Sequence, residues 1–181
     1  MRFIKLLTII CGGILIYWIV RSMLVEDTAT LRMRTRGGAA AIIRSMKEFN
    51  ATYGHFPNNA DGERGTEESN AGLVLVLTGK NPVENPKNIV FLSLREARHE
   101  LGNFHSGIDQ RGVVVDSWKN YVRIRWKEDG GVSNPYVDAG GRTLDTDVIV
   151  WSLGPDGIQG ARNDPTKFVD SDDIISWDFR R

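Results

Sequence analysis

The stretch V-W-S-L-G-P-D-G-I-Q-G runs from Val150 to Gly160 and joins an apolar run to a tight, glycine-rich turn. Val148 to Trp151 has no polar residue and is followed at once by turn residues, a pattern typical of a buried central strand. The G-P-D-G turn then presents the carboxylate of Asp156. This stretch therefore predicts a central strand that ends in a loop able to expose an acidic side chain.

The residues after this turn are rich in aspartate. Asp138 to Arg181 contains nine Asp, no Glu and five Lys or Arg, a local balance of −4. Asp172 and Asp173 add two adjacent carboxylates to that of Asp156, and Ca²⁺ binds about six to eight oxygen ligands in irregular geometry. The pattern predicts a calcium loop, although it is not an EF-hand. The open alternative is a metal-free loop in which each Asp accepts a backbone N–H.

Several motifs occur in an order that resembles the major, G-type pseudopilin of type II secretion systems. Ser152–Gly157 resembles the family's S-x-G-P-D-G, and Asp172–Trp177 resembles its D-D-I with a nearby Trp. Upstream, Tyr53–Pro57 resembles Y-G-x-(Y/F)-P, Gly72–Gly79 resembles a G-L-x-x-L helix, and Asp116–Tyr121 resembles D-P-W-G-N-x-Y with Ser and Lys for Pro and Gly. The resemblance covers roughly residues 26 to 181.

This resemblance implies an α+β, type IV pilin-like fold. A transmembrane helix would continue into a long helix packed on a small antiparallel sheet, with a C-terminal calcium-binding loop. The implied divisions are a transmembrane anchor (1–25) and a periplasmic pseudopilin-like domain (26–181), which comprises a long helix (26–53), variable loops and short helices (54–110), a sheet (111–152) and the calcium loop (153–181).

The resemblance also implies the calcium ligands. They would be the backbone carbonyl of Leu153 and the carboxylates of Asp156, Asp172 and Asp173. This chain differs from the family by the longer segment Ala161–Ser171, which adds Asp164 and Asp170 nearby. Whether Asp170 replaces one of the other ligands stays open.

Met1 to Val25 has the composition of a membrane anchor. Phe3 to Val25 carries only Lys5 and Arg21 as charges, and 23 helical residues span about 34 Å, enough for a hydrocarbon core of about 30 Å. A cleaved signal peptide would need a small-residue cleavage site, which is missing here. A lipoprotein anchor at Cys11 would need a small residue before it. We therefore expect an uncleaved, single-pass anchor.

The anchor departs from the usual prepilin motif. Its only glycines are Gly12 and Gly13, and cleavage after Gly13 would place Trp18 where the family has Glu. No acidic residue precedes Glu26. The chain is thus identified as an atypical member. The resemblance implies residence in the bacterial inner membrane with the globular domain in the periplasm, and as partners other pseudopilin subunits or secretion-machinery membrane proteins, including copies of itself in a filament.

Periodicity predicts the remaining elements. Glu26 to Thr52 lacks Pro, and a helical stripe that should face the sheet consists of Ile42, Met46, Phe49 and Tyr53. Tyr121 to Trp126 alternates apolar and basic residues, which predicts a strand with Arg123 and Arg125 exposed. Arg95 to Leu101 is expected to form one or two helical turns, and Leu73 to Thr78 a short helix.

Composition and motifs exclude several function classes. The 181-residue chain has no net charge, so the part beyond the cationic anchor carries −3, and we expect no nucleic-acid binding. No nucleotide-binding, hydrolase or zinc-protease motif is present, and His99 and His105 lack the further ligands of a zinc site. We expect no enzyme. Two functions remain: a subunit of a pseudopilus or related filament, or a membrane-anchored, non-polymerising periplasmic adaptor.

Overall fold

The computed structural model describes residues 27–58, 71–100, 103–126, 146–160, 168 and 171–176. The predicted anchor, residues 59–70, and Asp164, Asp170 and Trp177 lie outside these residues. In the described part of the chain, no helix is both long enough and apolar enough to cross a membrane. The elements are, in order, α1 (Thr28–Tyr53), α2 (Ala71–Leu77), β1 (Arg98–Glu100), β2 (Asn103–His105), β3 (Gly107–Ile108), β4 (Val114–Val115), β5 (Arg123–Trp126), β6 (Val148–Ser152) and β7 (Ile174–Ile175).

Helix α1 confirms the predicted long helix, but it does not continue from an earlier helix as expected, because Asp27 has an extended conformation (ψ of 157°) that begins α1 anew. Asp27 caps its first turn by accepting the Thr30 N–H at 2.6 Å. Gly54 ends it in the left-handed conformation, with φ of 80°, and donates its N–H to the Asn50 carbonyl at 2.8 Å. The helix continues through Gly37 and Gly38 without interruption.

The predicted apolar stripe of α1 faces the core. Ile42, Met46 and Phe49 are fully buried, and the half-buried Tyr53 packs against the same cluster. Val148 and Val150 of β6 belong to that cluster, so the helix lies on one face of the sheet. Burial of side chains of this size stabilises each by about 1.5–3 kcal/mol relative to exposure.

Strand β6 is the centre of a three-stranded antiparallel sheet of order β5–β6–β7, and all of its residues are buried. Its register pairs Ile124 with Val150 and Ser152 with Ile174. Val148 and Val150 face α1, whereas Ile149 and Trp151 form a second cluster with Phe168. Both faces are covered, which explains why β6 is apolar throughout rather than alternating. The predicted α+β class is confirmed.

Four details differ from the sequence-based expectations. Arg98–Glu100, expected to be helical, is a strand that pairs with Asn103–His105, where the rings of His99 and Phe104 lie 5.1 Å apart. Three strands thus lie within 54–110, expected to hold loops and short helices. Ile174–Ile175, expected to be loop, pairs with β6.

The two arginines of β5 are half-buried rather than exposed, because the second cluster and the loop after β6 cover that face. In that loop, Gln159 Oε1 accepts a hydrogen bond from Arg123 Nη1 at 2.9 Å.

Candidate metal centre

The turn Gly154–Gly157 leaves the end of β6 and is closed by two glycines in the left-handed conformation. Gly154 has φ of 67° and Gly157 has φ of 69°, values that glycine adopts at little cost. The Asp172 backbone lies against this turn: a Cβ added to Gly154 would stand 2.4 Å from the Asp172 carbonyl oxygen. The sequence places a glycine here because no side chain fits.

The three predicted carboxylates all lie beside this turn and the residues that follow it. The Asp156 N–H donates to Asp172 Oδ2 at 3.2 Å, and Asp156 Oδ1 accepts the Ile158 N–H at 2.8 Å. Asp173 Oδ2 accepts the Gly160 N–H at 2.6 Å and the Ser171 hydroxyl at 3.1 Å. Asp172 and Asp173 directly precede strand β7. The pairing of β7 with β6 keeps both residues beside the turn. Leu153, the predicted backbone ligand, follows β6 and packs against the second apolar cluster.

The contacts also contain the features expected of a metal-free loop, since each of the three Asp side chains accepts a backbone N–H. Within the described ranges, no group of three or more His, Cys, Asp or Glu side chains is arranged to hold a metal ion. Asp164 and Asp170 lie outside those ranges. A cation could therefore bind only to carboxylate or carbonyl oxygen atoms that accept none of these hydrogen bonds.

Asp173 supplies such an atom. The residue is 8 % exposed, and its Oδ1 is buried without a hydrogen-bond partner. A buried carboxylate oxygen without a partner is costly, and a bound cation would offset that cost. The Asp173 oxygen is thus one feature expected of a cation site. In such a site Asp173, Asp172, Asp156 and the Leu153 carbonyl would hold a hard cation, and the ion would neutralise their charge.

The electrostatics of the loop agree with this assignment. Burial raises the pKa of Asp173 from its ordinary value of 3.8 to about 6; hydrogen bonds from Gly160 and Ser171 oppose the rise, while the carboxylates of Asp172 and Asp156 add to it. Burial also raises the pKa of Asp172, to which repulsion by Asp156 contributes. Without a cation, these carboxylates repel one another in a partly dry environment.

The metal-free protein should consequently become less stable as the pH rises from 5 to 7. Because the pKa of Asp173 is higher in the folded state than in the unfolded chain, the folded state binds more protons in this range. The contribution is present in full below about 3.8 and is lost as the pH passes about 6. Urea unfolding in metal-free buffer at several pH values measures it. Asp173→Asn should make the free energy of unfolding less dependent on pH over this range. A metal-free stability that rises from pH 5 to 7 would contradict the raised pKa of Asp173.

Sequence reasoning missed the residues whose hydrogen bonds hold the start of this turn. Burial raises the pKa of Asp116, a 1 % exposed carboxylate that accepts a hydrogen bond from the Ser152 hydroxyl. Asn120 Nδ2 donates to the Gly154 carbonyl at 2.7 Å. The D-S-W-K-N-Y motif drew attention to this segment as an entry into the sheet, but nothing in the sequence relates it to a turn more than 30 residues away.

No protein-family model, no curated protein and no solved structure matches this chain.

Proposed function

We propose that this chain is a structural subunit of a type II secretion pseudopilus or a related type IV pilus-like filament, in which calcium stabilises the globular head. The observation that carries this proposal is the Gly154–Gly157 turn. It leaves a central strand packed on a long helix and gathers Asp156, Asp172 and Asp173, one of which has a buried oxygen without a partner. No catalytic activity is assigned to the chain.

In this proposal the fold is type IV pilin-like. Residues 1–25 would form a membrane-spanning helix, which the extended N-cap Asp27 separates from α1, and α1 rests on the β5–β6–β7 sheet. The chain is a single-pass protein of the bacterial inner membrane with its head in the periplasm. Its partners are other pseudopilin subunits, secretion-machinery membrane proteins and further copies of itself. The single cysteine of the chain, Cys11, lies within residues 1–25, so the head has none. Calcium then closes the C-terminal loop, as a disulfide could otherwise do.

The second candidate is a membrane-anchored, non-polymerising adaptor or scaffold in the periplasm. One observation favours it: no acidic residue occurs before Glu26. By the pseudopilin resemblance, a Glu near the processed N-terminus pairs with the terminal amine of a neighbouring subunit. A static anchor needs no such residue, and the calcium loop would serve the stability of the head equally well.

The two candidates differ in N-terminal processing and in self-association. The full chain is expressed in a bacterium with a type II secretion system and a prepilin peptidase. One portion of the intact membranes is treated with formaldehyde, and an untreated portion is used for N-terminal sequencing. We expect a ladder of cross-linked copies. A methylated terminus created by a cut after Gly13 identifies the pilin route, and Gly13→Leu is the matched control. An intact Met1 without a ladder would contradict the filament and support the adaptor.

A further inference from the structure

The segment Asp116–Asn120, here the 116–120 turn, is closed by its own carboxylate. Asp116 Oδ1 accepts the N–H groups of Trp118 and Asn120, each at 2.8 Å. The Asp116 N–H in turn donates to the Asn120 carbonyl at 2.9 Å. Lys119 adopts a left-handed φ of 74° within it. The two ends of this short segment are thereby held together, and Asn120 Nδ2 also donates to Asp116 Oδ2 at 3.3 Å.

Both of these groups reach the start of the candidate metal turn. The Ser152 hydroxyl donates to Asp116 Oδ2, and the Ser152 oxygen accepts the Gly154 N–H at 3.1 Å. Asn120 Nδ2 donates to the Gly154 carbonyl at 2.7 Å. The N–H and the C=O of Gly154 are therefore both tied to the 116–120 turn, the first through Ser152 and the second directly.

The hydrogen bond to the Gly154 N–H determines the direction of another group. The Gly154 nitrogen and the Leu153 carbonyl belong to one peptide unit, which is planar and trans. Since Ser152 Oγ holds the N–H on one side, the Leu153 C=O must point to the opposite side. Leu153 is the proposed backbone ligand, whereas Asp116, Ser152 and Asn120 are not proposed ligands.

We propose that Asp116, Ser152 and Asn120 are positioning residues for the cation site, and that they hold the Leu153 carbonyl in the orientation that binds Ca²⁺. This inference rests on the proposed calcium site and adds to it the residues that set its affinity. Asp116 fixes the Ser152 hydroxyl, Ser152 fixes the Leu153–Gly154 peptide, and Asn120 fixes the following Gly154–Pro155 peptide through its carbonyl. Such orientation of ligands by groups that do not touch the ion is typical of metal sites, where its loss costs about 10- to 100-fold in affinity.

The same turn provides a control for general destabilisation. Ser117 is buried like Ser152, but it contacts helix α1 instead of the metal turn. Ser117 Oγ donates to the Leu31 carbonyl at 3.2 Å and accepts from Thr35 Oγ1 at 3.1 Å. Ser117→Ala and Ser152→Ala therefore remove the same group from comparably buried positions. Only the second change loosens the metal turn.

The test is isothermal titration of the full chain in detergent with CaCl₂ at neutral pH. Ser152→Ala should raise the Kd for Ca²⁺ at least about tenfold, whereas Ser117→Ala should leave it within about threefold of the wild type even where it lowers the thermal stability. Ser152→Thr, which keeps the hydroxyl, should retain most of the affinity. Asn120→Ala gives a second measurement of the same effect and replaces Ser152→Ala if that variant does not fold.

The outcomes separate this inference from the proposed site. Equal losses of affinity in Ser117→Ala and Ser152→Ala would mean that the network only stabilises the fold. An unchanged Kd in both Ser152→Ala and Asn120→Ala would likewise overturn the positioning role, while the calcium site itself would stand. Absence of Ca²⁺ binding by the wild-type chain would overturn the site and the positioning role together.

Discussion

Gly154→Ala should lower the free energy of unfolding by about 3 kcal/mol. Two costs combine. A non-glycine residue at φ of 67° is strained by about 1–2 kcal/mol, and the new Cβ would stand 2.4 Å from the Asp172 carbonyl oxygen and 2.9 Å from its carbon. That contact is with backbone, so β7 or the turn must move, and overpacking of this kind costs about 1–3 kcal/mol.

Gly157→Ala is the matched control for this prediction. Gly157 has φ of 69°, almost the same strain, but its added Cβ would meet only Asn120 Oδ1, at 3.5 Å. We expect a loss of about 1 kcal/mol. Urea unfolding of the full chain in detergent, with EDTA present, compares both variants with the wild type independently of calcium. Equal effects of the two substitutions would show that the Asp172 backbone does not press against the turn.

Calcium should stabilise the protein by about 2.7 kcal/mol when its concentration is 100 times the dissociation constant. For a chain of 181 residues this corresponds to a rise of about 5–11 °C in the Tm. The physical reason is burial and like-charge repulsion: a cation removes the repulsion among Asp156, Asp172 and Asp173 and gives the buried Asp173 Oδ1 a partner. Thermal unfolding with EDTA, then with millimolar Ca²⁺ or Mg²⁺, measures the effect.

Two variants make this result specific. Asp173→Asn should abolish the rise, because an amide cannot supply the charge. Glu48→Gln, at an exposed position of α1, removes the same charge from a residue that is not a proposed ligand and should leave the rise intact. Mg²⁺ should stabilise much less, since it demands regular octahedral geometry that a loop of this kind does not impose. No shift with Ca²⁺ would mean that the aspartates serve only as caps of backbone N–H groups.

The two predictions differ in what the sequence alone could support. The G-P-D-G motif marks a turn with glycines at its ends, and aspartates in number suggest a cation. The need for glycine at position 154 in particular follows from the approach of residue 172, which only the paired strands β6 and β7 reveal. Similarly, the burial of Asp173, and hence its raised pKa, depends on β7 being a strand in an area that composition alone marks as loop.

Local patterns failed where pairing between distant segments outweighed them. Arg95 to Leu101 is polar and free of Pro or Gly before its end, which favours a helix, yet main-chain bonds between β1 and β2 form a hairpin there. The alternation in β5 correctly predicted that Ile124 and Trp126 are buried, but it could not show that the opposite face is covered too. In both cases the structure depends on contacts with residues outside the short segment whose apolar pattern was considered.

The sequence by itself determined the parts of this protein whose physics is local. The 3.6-residue stripe and the caps Asp27 and Gly54 define α1, and an unbroken apolar run defines β6. The tertiary structure alone decided the surroundings of the candidate metal centre. Asn120 and Gly154 are 34 residues apart, and Asp116 and Ser152 are 36 apart; no local rule relates them, because their hydrogen bonds exist only after α1 and the sheet have packed together.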